Sequence, residues 1–457
     1  MRKWNVCISL LLCALLLTAC AQEASPAPTE PAAAEATVTA TEPPAEPATV
    51  PPHPTPDDIT WTSALEPAPE APEGFAIAPV LEYLCSTAFG GRQTGTDGCA
   101  KAGAYIAAFL EQWGYQPLFG ESLAVPYTGV VGDPALAEAE VILHFPGGDL
   151  TLVEGVDYTF SFHLEDLDVT LPIATDPSAC ENGEAVFLGA LGQSRGRAKI
   201  TMRQCSGPLN PPSDVMGNGN TRLEDRRILL SKSAFAAAEQ ATHVTLRMNA
   251  SAREMERDNL CAVLPGADRT RAMVLCGHFD GTGTWGEILY PSAHDNASGA
   301  VTLLECARQL AGEALPFDLV ICAFSGEEQH LLGSEALAPV LENHYELLNV
   351  INLDCLGCGV EDSLNLLAEE GAPFGEALIP YLQEAGYTTM IYNNATSDQA
   401  SFTHPAIGFC ELPEGYRFHC PHDTVDTVDP QWLQRVADAV CAYVLENDLL
   451  PMEARGW

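Results

Sequence analysis

Basic residues are scarce in this sequence: 21 lysines and arginines stand against 62 aspartates and glutamates, a formal net charge of −41 over 457 residues. That deficit argues against nucleic acid as a partner, because a phosphate backbone rewards a basic surface and repels an acidic one. It identifies no substrate, since an exported protein with a solvated acidic surface accounts for it. A spanning segment at the N-terminus is also missing, because the apolar run at 6–17 is too short to cross a bilayer. A disulfide framework is lacking too, although cysteine is plentiful. With Cys7, Cys13 and Cys20 set aside, 13 of the 16 cysteines remain, an odd number that cannot all pair. Several sit inside apolar runs, as Cys276 and Cys322 do, where they behave as small buried hydrophobes. Cys355 and Cys358 have C-x-x-C spacing, but no second pair follows, so the sequence gives them no redox or metal role. Free thiols in an exported protein point to a reducing or anaerobic niche.

The N-terminus reads as a targeting segment. Arg2 and Lys3 precede the apolar run, which ends in Leu17-Thr18-Ala19-Cys20. This resembles a bacterial lipobox, so Cys20 is expected to carry a lipid and to anchor the mature protein outside the cytoplasmic membrane. Residues 21–73 are almost wholly Ala, Pro, Glu and Thr. They have too few large apolar side chains to fold, and proline keeps them extended, as a tether.

Order begins at about residue 74. Apolar residues at three- and four-residue spacing predict helices over 79–84 and 97–113, joined by the glycine-rich turn Gly90-Gly91-Arg92-Gln93-Thr94-Gly95-Thr96. Residues 121–255 hold short β-like runs, at 140–145, 185–191, 199–203 and 244–248, with no repeat and no motif that carries chemistry. They read as a mostly β insertion between 74–120 and 256–448. From 259 onward, apolar strands (259–264, 272–276, 317–324, 350–353) alternate with helices (296–310, 334–342 and a last one over 430–446). Continuous apolar strands between helices mean a sheet covered on both faces, an α/β layered core.

Polar clusters follow the strands, where functional residues of such sheets collect. They are Gly277-His278-Phe279-Asp280, Ala293-His294-Asp295-Asn296-Ala297-Ser298-Gly299, Ser325-Gly326-Glu327-Glu328, Asn352-Leu353-Asp354 and Phe418-His419-Cys420-Pro421-His422-Asp423-Thr424. Singly each is weak: Asp295 fits a helix cap, and Glu327-Glu328 fits a solvated helix start. Together, two imidazoles and three carboxylates on one rim make two metal sites with mixed N and O ligands, a set that suits zinc. Two metals roughly 3.5–4 Å apart need a bridging ligand, and a carboxylate is the natural choice.

These five segments, in this order, resemble the co-catalytic di-zinc aminopeptidase family, whose relatives include glutamate carboxypeptidase-like enzymes and glutaminyl cyclases. The resemblance covers about 75–118 and 256–446, with the Gly91–Thr96 turn included. It implies a three-layer α/β/α zinc-peptidase (phosphorylase/hydrolase-like) fold around a mixed, mostly parallel sheet. It also implies two zinc ions and release of N-terminal residues from peptides. Carried over, His278 and Asp354 hold one zinc, Glu328 and His419 the other, and Asp295 bridges them. Asp280 would fix the tautomer of His278, and Glu327 would be the general base.

The sequence departs from the family at His294, where a small or polar residue is usual. Phe418 stands where several members have an oxyanion-donating tyrosine, with Tyr416 as a nearby substitute. His422 offers a rival to His419, though family spacing favours His419. The insertion occupies a place where some relatives carry a protease-associated domain, and an unrelated β insertion fits equally well. Three alternatives share this fold: a single-zinc glutaminyl cyclase, a carboxypeptidase that would need arginines in the cleft, and an inactive surface binding protein.

Overall fold

The computed structural model describes residues 74–205, 209, 226–358, 362–368, 371–393, 396–412 and 418–454. The expected signal, Cys20, the tether and Tyr416 lie outside these residues.

Among the described residues the central sheet has nine strands. Its order is Gln116–Pro117, Ala252–Leu264, Phe317–Phe324, Asp268–His278, Leu347–Leu353, Ala406–Cys410, Ser363–Leu367 and Thr388–Tyr392, and Ala124–Gly132 also pairs with Ala252–Leu264. The four strands at its middle, Phe317–Phe324 to Ala406–Cys410, run parallel, so their carboxyl ends share one edge. Alternation along each strand explains the continuous apolar runs. Phe317, Leu319, Ile321 and Ala323 pack on one face with Leu81, Phe109, Leu304 and Val440 from four helices. Val320, Cys322 and Phe324 pack on the other with Leu337 and Leu341 of helix Leu332–His344. Each such side chain contributes about 1.5–3 kcal/mol when fully buried, so both faces must be apolar for the layers to hold. The result is a three-layer α/β/α core around a mixed sheet. The thirteen described cysteines are free thiols, and all but Cys205 and Cys358 are buried. No described helix is long and apolar enough to cross a membrane.

Helix Asp97–Gln112 starts where Thr96 accepts a hydrogen bond from the Cys99 amide, and Gly114, at φ 85°, turns the chain away beyond its end. The turn before it is built around Arg92, which is completely buried. Its guanidinium donates to the carbonyls of Phe279 (2.8 Å), Leu84 (2.7 Å), Pro291 (3.0 Å) and Ser292 (2.7 Å). Gly91 allows the turn to sit this close: at φ 75°, a Cβ there would lie 2.2 Å from the Gly283 carbonyl oxygen. Arg92→Met is expected to destabilise the fold by roughly 3–5 kcal/mol, since a buried acceptor left without a donor costs ~1–3 kcal/mol. Denaturant unfolding checks this, and a loss below about 1 kcal/mol contradicts it.

Among the described residues the insertion forms a separate eight-stranded sheet, in the order Gly148–Thr151, Ala139–Phe145, His243–Met248, Leu167–Ala174, Val186–Gly189, Ile200–Gln204, Arg226–Leu230, Tyr158–Phe160, with helix Lys232–Ala238 packed on it. Strand Ala124–Gly132, beyond the expected boundary at 121, belongs to the central sheet instead. The insertion touches the core domain through Glu154, which accepts a 2.8 Å hydrogen bond from Trp285 Nε1 on the hairpin Gly283–Trp285 and Ile288–Tyr290.

Candidate metal centre

All the candidate groups but Asp295 follow the carboxyl ends of central strands. His278 closes Asp268–His278, Ser325 to Glu328 follow Phe317–Phe324, Asp354 follows Leu347–Leu353, and His419 lies beyond Ala406–Cys410. Asp295 comes from the segment 293–297, where neither Asp295 nor Asn296 has helical dihedrals and the bond between them is cis. The regular helix starts only at Ser298, so Asp295 does not cap it. Its carboxylate instead lies between two imidazoles: Oδ1 is 3.5 Å from His278 Nε2, and Oδ2 is 3.1 Å from His419 Nε2. His278 Nε2 also lies 3.4 Å from Asp354 Oδ1 and 3.8 Å from Glu327 Oε2. His419 Nε2 lies 2.9 Å from Glu328 Oε2. Glu327 and Glu328 do not begin a helix, since the next one starts at Leu332.

Several contacts hold these groups in place. Asp280, fully buried, sets Oδ1 3.3 Å from His278 Nδ1 and 3.4 Å from the Glu327 amide, while its Oδ2 accepts 2.9 Å from Thr94 Oγ1. Thr94 Oγ1 in turn accepts from the Gly326 amide at 2.8 Å, which ties the glycine-rich turn to the Glu327 loop. Asn296 donates to the Leu353 carbonyl and accepts from the amides of Gly299 and Cys355. Asp423 accepts from the amides of His294 (2.7 Å) and Asp295 (3.1 Å), fixing the segment that presents Asp295. The sequence motifs contain Thr94 and Asp423 without giving either a contact, and they omit Asp398. The Gly-Arg-x-x-Gly-Thr turn was the available signal for Thr94. Asp398 has no metal-like motif around it, and it reaches the cluster only through the fold.

The departures also find places. His294 is buried and stacks on Phe418, ring centroids 5.6 Å apart and 23° between planes. Phe418 therefore packs as an apolar ring and supplies no hydroxyl. His422 is exposed and joins none of the metal-capable groups among the described residues.

Two groups of donors converge: His278, Glu327 and Asp354 in one, and Asp295, Glu328 and His419 in the other. His278 Nε2, Asp354 Oδ1 and Glu328 Oε1 are buried atoms without a hydrogen-bond partner, and the first two face each other in the cluster at 3.4 Å. Burial raises the proton affinities of Glu327, Glu328 and Asp398. The Glu327 carboxyl is pushed well up by burial, against the pull of His278, and Asp354, Asp398 and Glu328 push it further. Glu328 rises mainly through burial, opposed by His419. Asp398 is pushed up to about 7, again by burial first. Burial also tends to lift Asp295, yet its two imidazole neighbours outweigh that and hold it low. The Glu328 carboxylate raises His419, and for His278 Glu327 and Asp354 outweigh an opposing burial effect. An excess of buried carboxylate over imidazole, with donor atoms lacking protein partners, is an arrangement that divalent cations relieve. Mixed nitrogen and oxygen donors fit zinc better than the all-oxygen shells of calcium or magnesium.

Residues 259–444 match the sequence profile of peptidase family M28. Among curated relatives, a probable leucine aminopeptidase of Arthroderma benhamiae is 25% identical over 243 residues, 47% of this chain and 66% of that protein. A probable zinc metalloprotease of Pyrenophora teres f. teres is 34% identical over 202 residues, 43% of this chain and 40% of that protein. The chain thus spans a little under two thirds of the first relative's length and well under half of the second's. Among solved structures, the chain resembles an aminopeptidase from Aneurinibacillus sp. strain AM-1 (TM-score 0.61, 18% identity, 81% of this chain and 92% of that one). It also resembles a zinc aminopeptidase from Bacillus subtilis (TM-score 0.62, 19% identity, 82% and 96%). At these identities the structural likeness establishes the fold.

Proposed function

We propose that the protein is a two-zinc exopeptidase that releases N-terminal residues from peptides, tethered by a lipid on Cys20 outside a bacterial cytoplasmic membrane. The observation that carries the catalytic part is the position of Asp295, whose two oxygens face different imidazoles at 3.5 and 3.1 Å. A ligand so placed serves two ions at once. In this reading His278 and Asp354 hold one zinc, Glu328 and His419 the other, with Asp295 shared. When bound, the ions would supply a water of lowered pKa and would polarise the scissile carbonyl.

The chain's own groups do the rest. Glu327, raised in proton affinity, takes the proton of the attacking water on its carboxylate and delivers it to the departing amine. Asp280 accepts from His278 Nδ1 and holds Nε2 toward the cluster. The Thr94 bridge between Asp280 and the Gly326 amide keeps the Glu327 loop fixed against that imidazole. Excess negative charge in the site suits a free α-ammonium and disfavours a substrate's terminal carboxylate. Arg92, packed behind the site, spends its donors on backbone carbonyls and offers none to an acidic C-terminus.

The test uses an aminoacyl anilide with a free amine beside its N-acetylated form, together with zinc analysis. Cleavage of the free substrate alone, abolished by a chelator and restored by zinc, with about two zinc ions per chain, is the expected result. Preferential cleavage of blocked substrates, or a wild type that binds no zinc and cleaves nothing, rejects it. Labelling with a radioactive fatty acid, lost in Cys20→Ala, tests the anchor.

A further inference from the structure

A further set of metal-type donors includes His294, the neighbour of Asp295 in the chain. His294, Cys358 and Glu411 each place one ligand atom so that all three lie within 4.8 Å of one another. None belongs to the proposed catalytic set. His294 and Glu411 are buried and Cys358 is partly so. The surroundings are anionic and apolar: Cys355, Cys410, Leu367, Tyr392 and Phe418 pack together here, and Phe418 covers the His294 ring. Glu411 is already oriented, because one of its oxygens accepts from the Gly357 amide at 2.9 Å. Burial, then Glu411 and Asp423, push the Cys358 thiol far up, so the site resists a bare thiolate. A divalent cation reverses that, since a coordinated thiol gives up its proton.

We infer that His294, Cys358 and Glu411 form a third metal site, separate from the catalytic pair, which takes a single zinc-type ion. The donor chemistry selects the metal. One thiolate, one imidazole and one carboxylate suit zinc and exclude calcium and magnesium, which demand oxygen shells. Thiolate and carboxylate balance the ion's two charges, and a water completes four-coordination. The proton of the Cys358 thiol leaves to solvent on binding. The ion would join three segments: the one carrying Asp295, the loop after Asp354, and the end of strand Ala406–Cys410. It would act as a positioning clamp without touching substrate.

Cobalt substitution separates this site from the catalytic one, because the proposed catalytic ligands include no sulfur. Anaerobically reduced protein, stripped with chelator and titrated with Co²⁺, is expected to bind three ions and to show a thiolate-to-cobalt charge-transfer band. Cys358→Ser should lose that band and one ion while keeping the visible bands of the catalytic pair. Cys355→Ser, which alters the cysteine beside Asp354, should keep the charge-transfer band. Absence of the band from folded wild type, or its survival in Cys358→Ser, overturns the inference even if Cys358→Ser proves unstable. Binding of one ion only, with the thiolate band present, rejects the two-zinc catalytic reading and leaves this site standing.

Discussion

Glu327→Gln is expected to lower kcat by about 10³-fold while zinc content and KM stay near wild type, a size in keeping with the loss of a positioned general base. The exchange keeps the side chain's volume and removes only its ability to hold a proton. Glu327 Oε2 lies 3.8 Å from His278 Nε2, within reach of the same cluster as Asp295 and Asp354. Because burial and neighbouring carboxylates raise its proton affinity, it takes up a proton more readily than an exposed glutamate does. Metal analysis beside steady-state kinetics decides the matter. A variant that loses zinc in proportion to activity would make Glu327 a ligand, and one that keeps full turnover would remove it from the chemistry.

Asp295→Asn is expected to be as severe by a different route. The amide keeps one oxygen and loses the charge, so it cannot serve two cations at once. Zinc content should fall from about two ions to one or fewer in the catalytic pair. Activity should drop on the order of 10³-fold, since a metal contributes several kcal/mol of charge stabilisation and each 1.36 kcal/mol is tenfold. The backbone of the segment should survive, because Asp423 holds the amides of His294 and Asp295, and Asn296 secures the far side. Mass spectrometry under native conditions gives the ion count. Two tightly held ions in a folded, inactive Asp295→Asn would refute the bridge.

The layered core was legible in the sequence because its strands are apolar on both faces, and the runs at 259–264, 272–276 and 317–324 correspond to strands. The last helix, Pro430–Glu446, has the expected bounds, set by Asp429 capping the Gln431 amide ahead of a first-turn proline. The far edge of the sheet was not legible. Ser363–Leu367, Thr388–Tyr392 and Ala406–Cys410 are five residues each, and helix Pro373–Glu384 carries an internal proline at 380. Such short or interrupted segments give no sustained period. In the site, residues with metal-like spacing could be named because their chemistry is local. Thr94, Asp398 and Asp423 act through contacts across long sequence separations, such as the 232 residues between Thr94 and Gly326, so even a motif that contains Thr94 or Asp423 does not reveal what it touches. Cys358 gives no metal pattern in the sequence, since no second C-x-x-C pair follows it and its partners in the proposed third site, His294 and Glu411, lie 64 and 53 residues away in the chain.

The crowding of carboxylates around His278 and His419 has a consequence beyond chemistry. An ion that binds only the folded chain stabilises it by mass action, and at a hundred times Kd the gain is about 2.7 kcal/mol. A change of 1–2 kcal/mol is enough to alter a protein's abundance several-fold where unfolded chains are removed. Metal supply would therefore govern how long each copy persists as well as how fast it turns over, and a starved cell would shed the idle copies first.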